Sequence, residues 1–173
     1  MKRDHRGFSM VEIIVVIAIV GILAGISVTM FGQVRYANAK KTVETVSDRL
    51  DSQRITAMGQ KETQYLYIYR LDDGYYMKLL EDDGSGTMVL NTLDTSLLNE
   101  SGTKICNTSL KIYIDSETSE NLVSGDKIIR IAFKRTGVFD TSDKGTNVHK
   151  ILFVGNSTQT ITLIEQTGKH YVN

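Results

Sequence analysis

Glu12 stands five residues after Gly7, behind the aromatic Phe8, at the head of the aliphatic run Ile13 to Ile26. A carboxylate at depth in hydrocarbon costs about 2 kcal/mol or more, so it needs a cationic partner there. The chemistry this spacing predicts is charge pairing inside an apolar medium, with no covalent bond made or broken. Lys2, Arg3 and Arg6 precede the segment and suit the cytoplasmic side of a bilayer. An ordinary secretory signal has an apolar run of about 7–15 residues followed by a small-residue cleavage site. Here the apolar run reaches Phe31 and passes into helix-forming sequence with no A-x-A-like site. A plain anchor accounts for the basic residues but gives no reason for Glu12.

Other reactive side chains lack a spacing that does chemistry. His149 and His170 are the histidines beyond His5, and neither has the H-x₃-H or C-x₂-C spacing of a zinc site. Cys106 is the single cysteine; it cannot form an internal disulfide, and in Lys104-Ile105-Cys106 it reads as a small buried hydrophobe. Nothing in the sequence supports pairing Cys106 as a nucleophile with His149 as base. Asp140-Thr141-Ser142-Asp143-Lys144-Gly145 opens like a calcium loop, but Lys144 stands where an acidic ligand belongs and no glutamate closes the loop. Glu81-Asp82-Asp83-Gly84 is a second acidic turn, and turns gather Asp and Gly for backbone reasons alone. No catalytic residue, metal site or cofactor is assigned, and there is no phosphate-binding glycine loop.

The formal net charge is zero, which gives no general electrostatic argument for nucleic acid. Lys127, Arg130, Lys134 and Arg135 form the main basic cluster, with residues 130 and 134 on one strand face. Tyr65, Tyr67 and Tyr69 form a row that could stack bases or sugars, although packing on the helix or covering a sheet face is the expectation. Charge clusters usually mark solvated faces.

The elements that position these residues follow from periodicity. The chain of 173 residues accommodates one anchor helix and one compact domain. Beyond Gln33, Val43, Val46, Leu50 and Ala57 recur at helical steps with Gln53 in the gap, an apolar stripe for packing on a sheet. Lys40, Lys41, Glu44, Asp48 and Arg49 fall mostly on other faces, and Asp51 lies beside the stripe in solvent. A helix from Ser9 to about Met58 is about 75 Å long at 1.5 Å per residue. Its apolar first half and amphipathic second half imply two environments for one helix. Proline is absent, so Gly21, Gly25 and Gly32 are the sources of any flexibility.

Gly59 is the predicted stop, and the remainder reads as β. Tyr65 to Arg70 alternates, with the tyrosines on one face and Leu66 and Ile68 on the other. Asp73-Gly74 predicts a hairpin turn into Tyr75 to Leu80. Further strands are predicted near Thr87 to Leu90, at Ser109 to Asp115, Lys127 to Lys134, His149 to Val154, Gln159 to Glu165 and His170 to Val172, with Asn91 to Lys104 as loop.

Arg6-Gly7-Phe8-Ser9-Met10-Val11-Glu12 and the helix behind it resemble the class III signal of type IV prepilins and type II secretion pseudopilins. The stretch Leu50 to Gly59, the Phe133 to Phe139 region and Thr167-Gly168 with Tyr171 are similar to the minor pseudopilin H group, the GspH/FimT family. Asn91 to Asn121 stays outside the resemblance, and the proline that many pilins carry in the membrane helix is missing, with Thr29 nearest by spacing.

The resemblance implies a prepilin peptidase that cuts between Gly7 and Phe8, where a glycine allows close approach to the backbone, and that N-methylates Phe8. Glu12 then pairs with the terminal amine of a neighbouring subunit. It implies a leader at 1–7, a transmembrane and assembly helix at 8–32, and a pilin-like domain at 33–173 comprising an amphipathic helix 33–58 and a β-sheet region 63–173. The fold class implied is α+β, a long N-terminal helix on an antiparallel sheet. The expected role is a structural subunit, not an enzyme, in the tip or initiation complex of a type II secretion pseudopilus or type IV pilus. Its partners are prepilin peptidase, other pilins through the helix, and membrane lipid before assembly, with leader in the cytoplasm and domain outside. A competence pilin that binds DNA, or a tip adhesin, is the alternative.

Overall fold

A computed structural model of the chain describes residues 9–82, 84–85, 87–115, 127–155 and 157–173, with side chains described for all of these except 26–36. Helix α1 runs unbroken over Met10–Gly59. The helix stops at the glycine read from the sequence, and the Gln60 N–H closes the last turn on Thr56 O at 3.0 Å. Eight strands follow: β1 Gln64–Leu71, β2 Gly74–Glu81, β3 Thr103–Cys106, β4 Lys111–Ile114, β5 Ile129–Ala132, β6 Lys150–Val154, β7 Thr158–Ile164 and β8 Lys169–Val172. They form two four-stranded antiparallel sheets, in the orders β3-β2-β1-β5 and β4-β6-β7-β8. The architecture is α+β and compatible with a pilin-like fold.

The second half of α1 is sunk between the two sheets. Val43, Val46, Leu50 and Ala57 are buried, as their spacing predicts, and so are Ala39, Thr42 and the polar Gln53. They share one core with Leu66, Ile68 and Ile131 of the first sheet and Ile112, Phe153 and Ile161 of the second. The Gln53 amide nitrogen donates to Gln64 O at 2.8 Å and Ile131 O at 3.1 Å, which ties the helix to the β1–β5 edge, while its Oε1 is buried without a hydrogen-bond partner.

Two strand expectations need correction. Residues 87–90 do not form a strand: Tyr67 Oη donates to Met88 O at 2.5 Å and accepts from the Leu90 N–H at 2.9 Å. A side-chain hydroxyl thus satisfies backbone groups that a ladder would otherwise take. Conversely β3 lies at the end of the stretch expected to be loop, paired only to β2 through a register shift at Tyr75/Tyr76. The hairpin also differs in detail, since Leu71 pairs with Gly74 and the loop is Asp72-Asp73. Gly74 is the first residue of β2, where a Cβ would lie 2.4 Å from Cys106 O.

The far end of α1 is locked to two turns. Arg54 Nε donates to Gly137 O at 2.8 Å and its Nη2 to Thr167 O at 3.1 Å. Gly168 sits at φ +63°, and a Cβ there would meet Gly137 O at 1.8 Å. Both the left-handed backbone and the contact exclude a side chain. Gly168→Ala is therefore expected to destabilise the chain by about 3 kcal/mol or more, from αL strain plus a forced separation of the turns. Urea unfolding of the full chain in detergent checks it.

Candidate functional site

The residues that distinguish this chain are at the start of α1. Ser9 takes the N-cap position with extended backbone and makes no side-chain cap bond. Its carbonyl accepts the Glu12 N–H at 3.0 Å and the Ile13 N–H at 3.2 Å. Glu12 thus lies in the first turn of the helix, where the helix dipole favours a negative charge. Its side chain is exposed. Gly7 and Phe8 lie outside the described residues, as do Lys2, Arg3 and Arg6.

Behind Glu12 the helix is bare on every side. Ile13, Ile14, Val15 and Val16 are 49, 52, 50 and 51% exposed, so consecutive residues pointing around a full turn all lack cover. Leu23 is still 59% exposed. A contiguous aliphatic surface of this size marks an interaction site. Among the described residues no helix is long and apolar enough to cross a membrane. Residues 10–25, whose side chains are described, span about 24 Å, short of a hydrocarbon core of about 30 Å.

The other candidates are placed as follows. His170, 7% exposed at its side chain, meets Ser47 Oγ through Nε2 at 2.6 Å, with Asp51 Oδ1 3.8 Å from Nδ1. Serine, histidine and aspartate are brought together here by tertiary contact alone, and no motif in the sequence pointed to it. The arrangement is a strut from β8 to α1. The aspartate is beyond hydrogen-bond distance, and the serine lies mid-helix, where backbone N–H groups are engaged in the ladder and offer no oxyanion hole. His149 is far more open, with Nδ1 at 2.5 Å from Glu165 Oε1.

Cys106 is partly buried beside Thr42, and burial pushes its thiol up to about 12. Against an ordinary value of 9.0, that lowers the thiolate fraction at pH 8 about a thousandfold. Reaction of the native chain with a disulfide reagent at pH 8 should accordingly be at least a hundredfold slower than that of the unfolded chain. Burial also lifts Tyr69 to about 12. Both groups hold their protons more tightly folded than unfolded, so stability falls as pH rises through about 9 to 12.

The calcium-like turn encloses a protein cation. Arg130, 2% exposed, donates from Nε to Gly145 O at 2.6 Å and from Nη2 to Asp143 O at 2.8 Å. Nη1 reaches Leu90 O at 2.9 Å and Asn91 Oδ1 at 2.6 Å. Arg130 is thereby withdrawn from the basic stripe. Lys134 lies 3.9 Å from Asp140 Oδ1, and Arg135 Nε donates to Gln60 O at 3.0 Å. Tyr65, Tyr67 and Tyr69 are 4, 0 and 0% exposed beneath Leu90, Leu93 and Leu98. The row covers a sheet face as expected but is closed to bases and sugars, and it lies opposite the helix.

Residues 2–28 match the family model described as Prokaryotic N-terminal methylation motif. No curated protein and no solved structure matches the chain. The matched segment contains Gly7, Phe8, Glu12 and the first turns of the bare helix. That motif supports a type IV pilin-like protein and substrate of prepilin peptidase, a structural subunit more than an enzyme.

Proposed function

We propose that this chain is a minor pseudopilin or pilin of the GspH/FimT kind, assembled into a type II secretion pseudopilus or a type IV pilus within its tip or initiation complex. The observation that carries the reading is one continuous helix, Met10–Gly59, bare over residues 10–25 and sunk in an α+β domain from Ala39 onward. Prepilin peptidase cuts between Gly7 and Phe8 and methylates the new Phe8 amine. Before assembly the segment 8–32 sits in lipid, with residues 1–7 cytoplasmic and residues 33–173 outside. The sequence continues the apolar run through Ile26 to Phe31, which brings the segment to bilayer length.

After assembly the same surface packs on sister helices, and Glu12 pairs with the terminal amine of a neighbour. Burial at about 25 cal/mol per Å² holds such a bundle without covalent links. Intact-mass and N-terminal peptide spectrometry on protein from native membranes tests the reading. The expected product starts at Phe8 and carries one added methyl group. A chain that keeps residues 1–7 in cells with active prepilin peptidase would overturn it.

A further inference from the structure

A cleft of about 340 Å³ opens between the first docked turns of α1 and the β3–β4 connection. Asn38 and Lys41 line it from the helix, and Lys104, Asn107 and Ser109 line it from the opposite side. Its lining contains two lysines and no aspartate or glutamate. Lys104 Nζ is 2.6 Å from Asp73 Oδ2, so part of its charge is offset while further N–H donors remain. Two ammonium groups, two side-chain amides and a hydroxyl are a donor set for an oxyanion.

The position of the cleft says which anion. Asn38 immediately precedes Ala39, a fully buried residue of the helix, so the cleft lies where the bare helix enters the domain. If the hydrocarbon boundary is near Phe31, Asn38 is about 10 Å farther along the axis. The polar layer of a bilayer extends about 5–8 Å beyond each side of the core. Helical side chains lean toward the N-terminus, and lysine ammonium groups reach still farther on their flexible stems.

We propose that this cleft binds the phosphate group of an anionic phospholipid at the membrane face from which α1 emerges; this rests on the membrane-anchored subunit proposed above. Lys41 supplies the principal charge, and the Asn38, Asn107 and Ser109 side chains orient the phosphate oxygens. The site holds the domain against the bilayer before extraction and releases it when the helix leaves.

Lys40 provides an internal control, because it carries the same charge one residue away but pairs with Glu44 at 3.9 Å and does not line the cleft. Isotope-labelled full-length chain in neutral-detergent micelles is titrated with dihexanoyl phosphatidylglycerol, dihexanoyl phosphatidylcholine and inorganic phosphate. Saturable amide shifts at Asn107 and Ser109 are expected with the anionic lipid, and weaker ones with the zwitterionic lipid. Lys41→Gln should weaken them about fivefold, the factor one lysine contributes at an anionic surface, and Lys41→Arg should restore them. Lys40→Gln should leave them within about twofold, because Lys40 pairs with Glu44 at the surface and lines no part of the cleft.

Equal loss in both glutamine variants would mean diffuse surface attraction and overturn the site. Absence of saturation would do the same. Saturation by inorganic phosphate at equal affinity would mean a free-anion site and overturn the lipid assignment. Flotation of the full chain with neutral phosphatidylcholine vesicles separates the two proposals, since failure to float overturns the anchored subunit while the micelle titration alone decides the cleft.

Discussion

Glu12→Leu is expected to leave the chain cut and methylated at Phe8 while its recovery in assembled filaments falls more than tenfold. Wild-type Glu12 is an exposed carboxylate in the first turn of a bare aliphatic helix. An isolated subunit in a bilayer carries its desolvation cost, about 2 kcal/mol or more. In the proposed assembly, pairing with a neighbour's terminal amine would relieve that cost, and about 2 kcal/mol corresponds to roughly thirtyfold in an equilibrium. Leucine removes the penalty in advance, so the isolated subunit no longer gains by docking. Glu12→Gln should behave like the leucine variant, because the charge rather than the shape makes the pair. Sheared-filament recovery, read beside the mature mass, separates assembly from processing. Undiminished incorporation of both variants would remove Glu12 from assembly.

Arg130→Met is expected to cost about 3–5 kcal/mol of domain stability, because several buried carbonyl acceptors lose a charged donor at once. The guanidinium is buried and bonded to four acceptors in two separate segments, at Leu90 and Asn91 and at Asp143 and Gly145. Methionine fills similar volume but leaves those carbonyls without donors, at about 1–3 kcal/mol for each that stays buried. Loss of the anchor also frees the loop that lies over Tyr67 and Tyr69. Arg130→Lys should recover only part of the loss, since a single ammonium cannot span both segments in the way a planar fork does. For a domain of this size the methionine variant should melt about 10 °C lower. Near-ultraviolet dichroism of the full chain reports it through the buried tyrosines, and a shift below about 2 °C would show that the turn holds without the arginine.

Sequence alone determined the elements whose signals are local. The steps of Val43, Val46, Leu50 and Ala57 fixed the buried face of α1, and Gly59 fixed its end. The alternation through Tyr65 to Arg70 fixed which residues of β1 share a face, because one residue of slip would turn every side chain over, and the fold then set Leu66 and Ile68, not the tyrosines, against the helix. Later, β4, β5 and β6 fell within the stretches read from β-branched and aromatic runs, and β7 and β8 began one residue ahead of theirs. The placement of Glu12 in an apolar run was legible for the same reason, as a charge that its immediate neighbours cannot satisfy.

Tertiary structure decided what depends on partners far along the chain. Residues 87–90 have the composition of a strand, yet Tyr67 binds their backbone from across the sheet. Arg130 has the look of a surface cation, yet four acceptors in two loops withdraw it from solvent. Ser47 and His170 are 123 positions apart and meet at 2.6 Å. No periodicity encodes such contacts, because each depends on how a loop closes over a finished sheet. The aliphatic half of the helix is written in the order of its residues; the half that meets the domain is completed only by the fold around it.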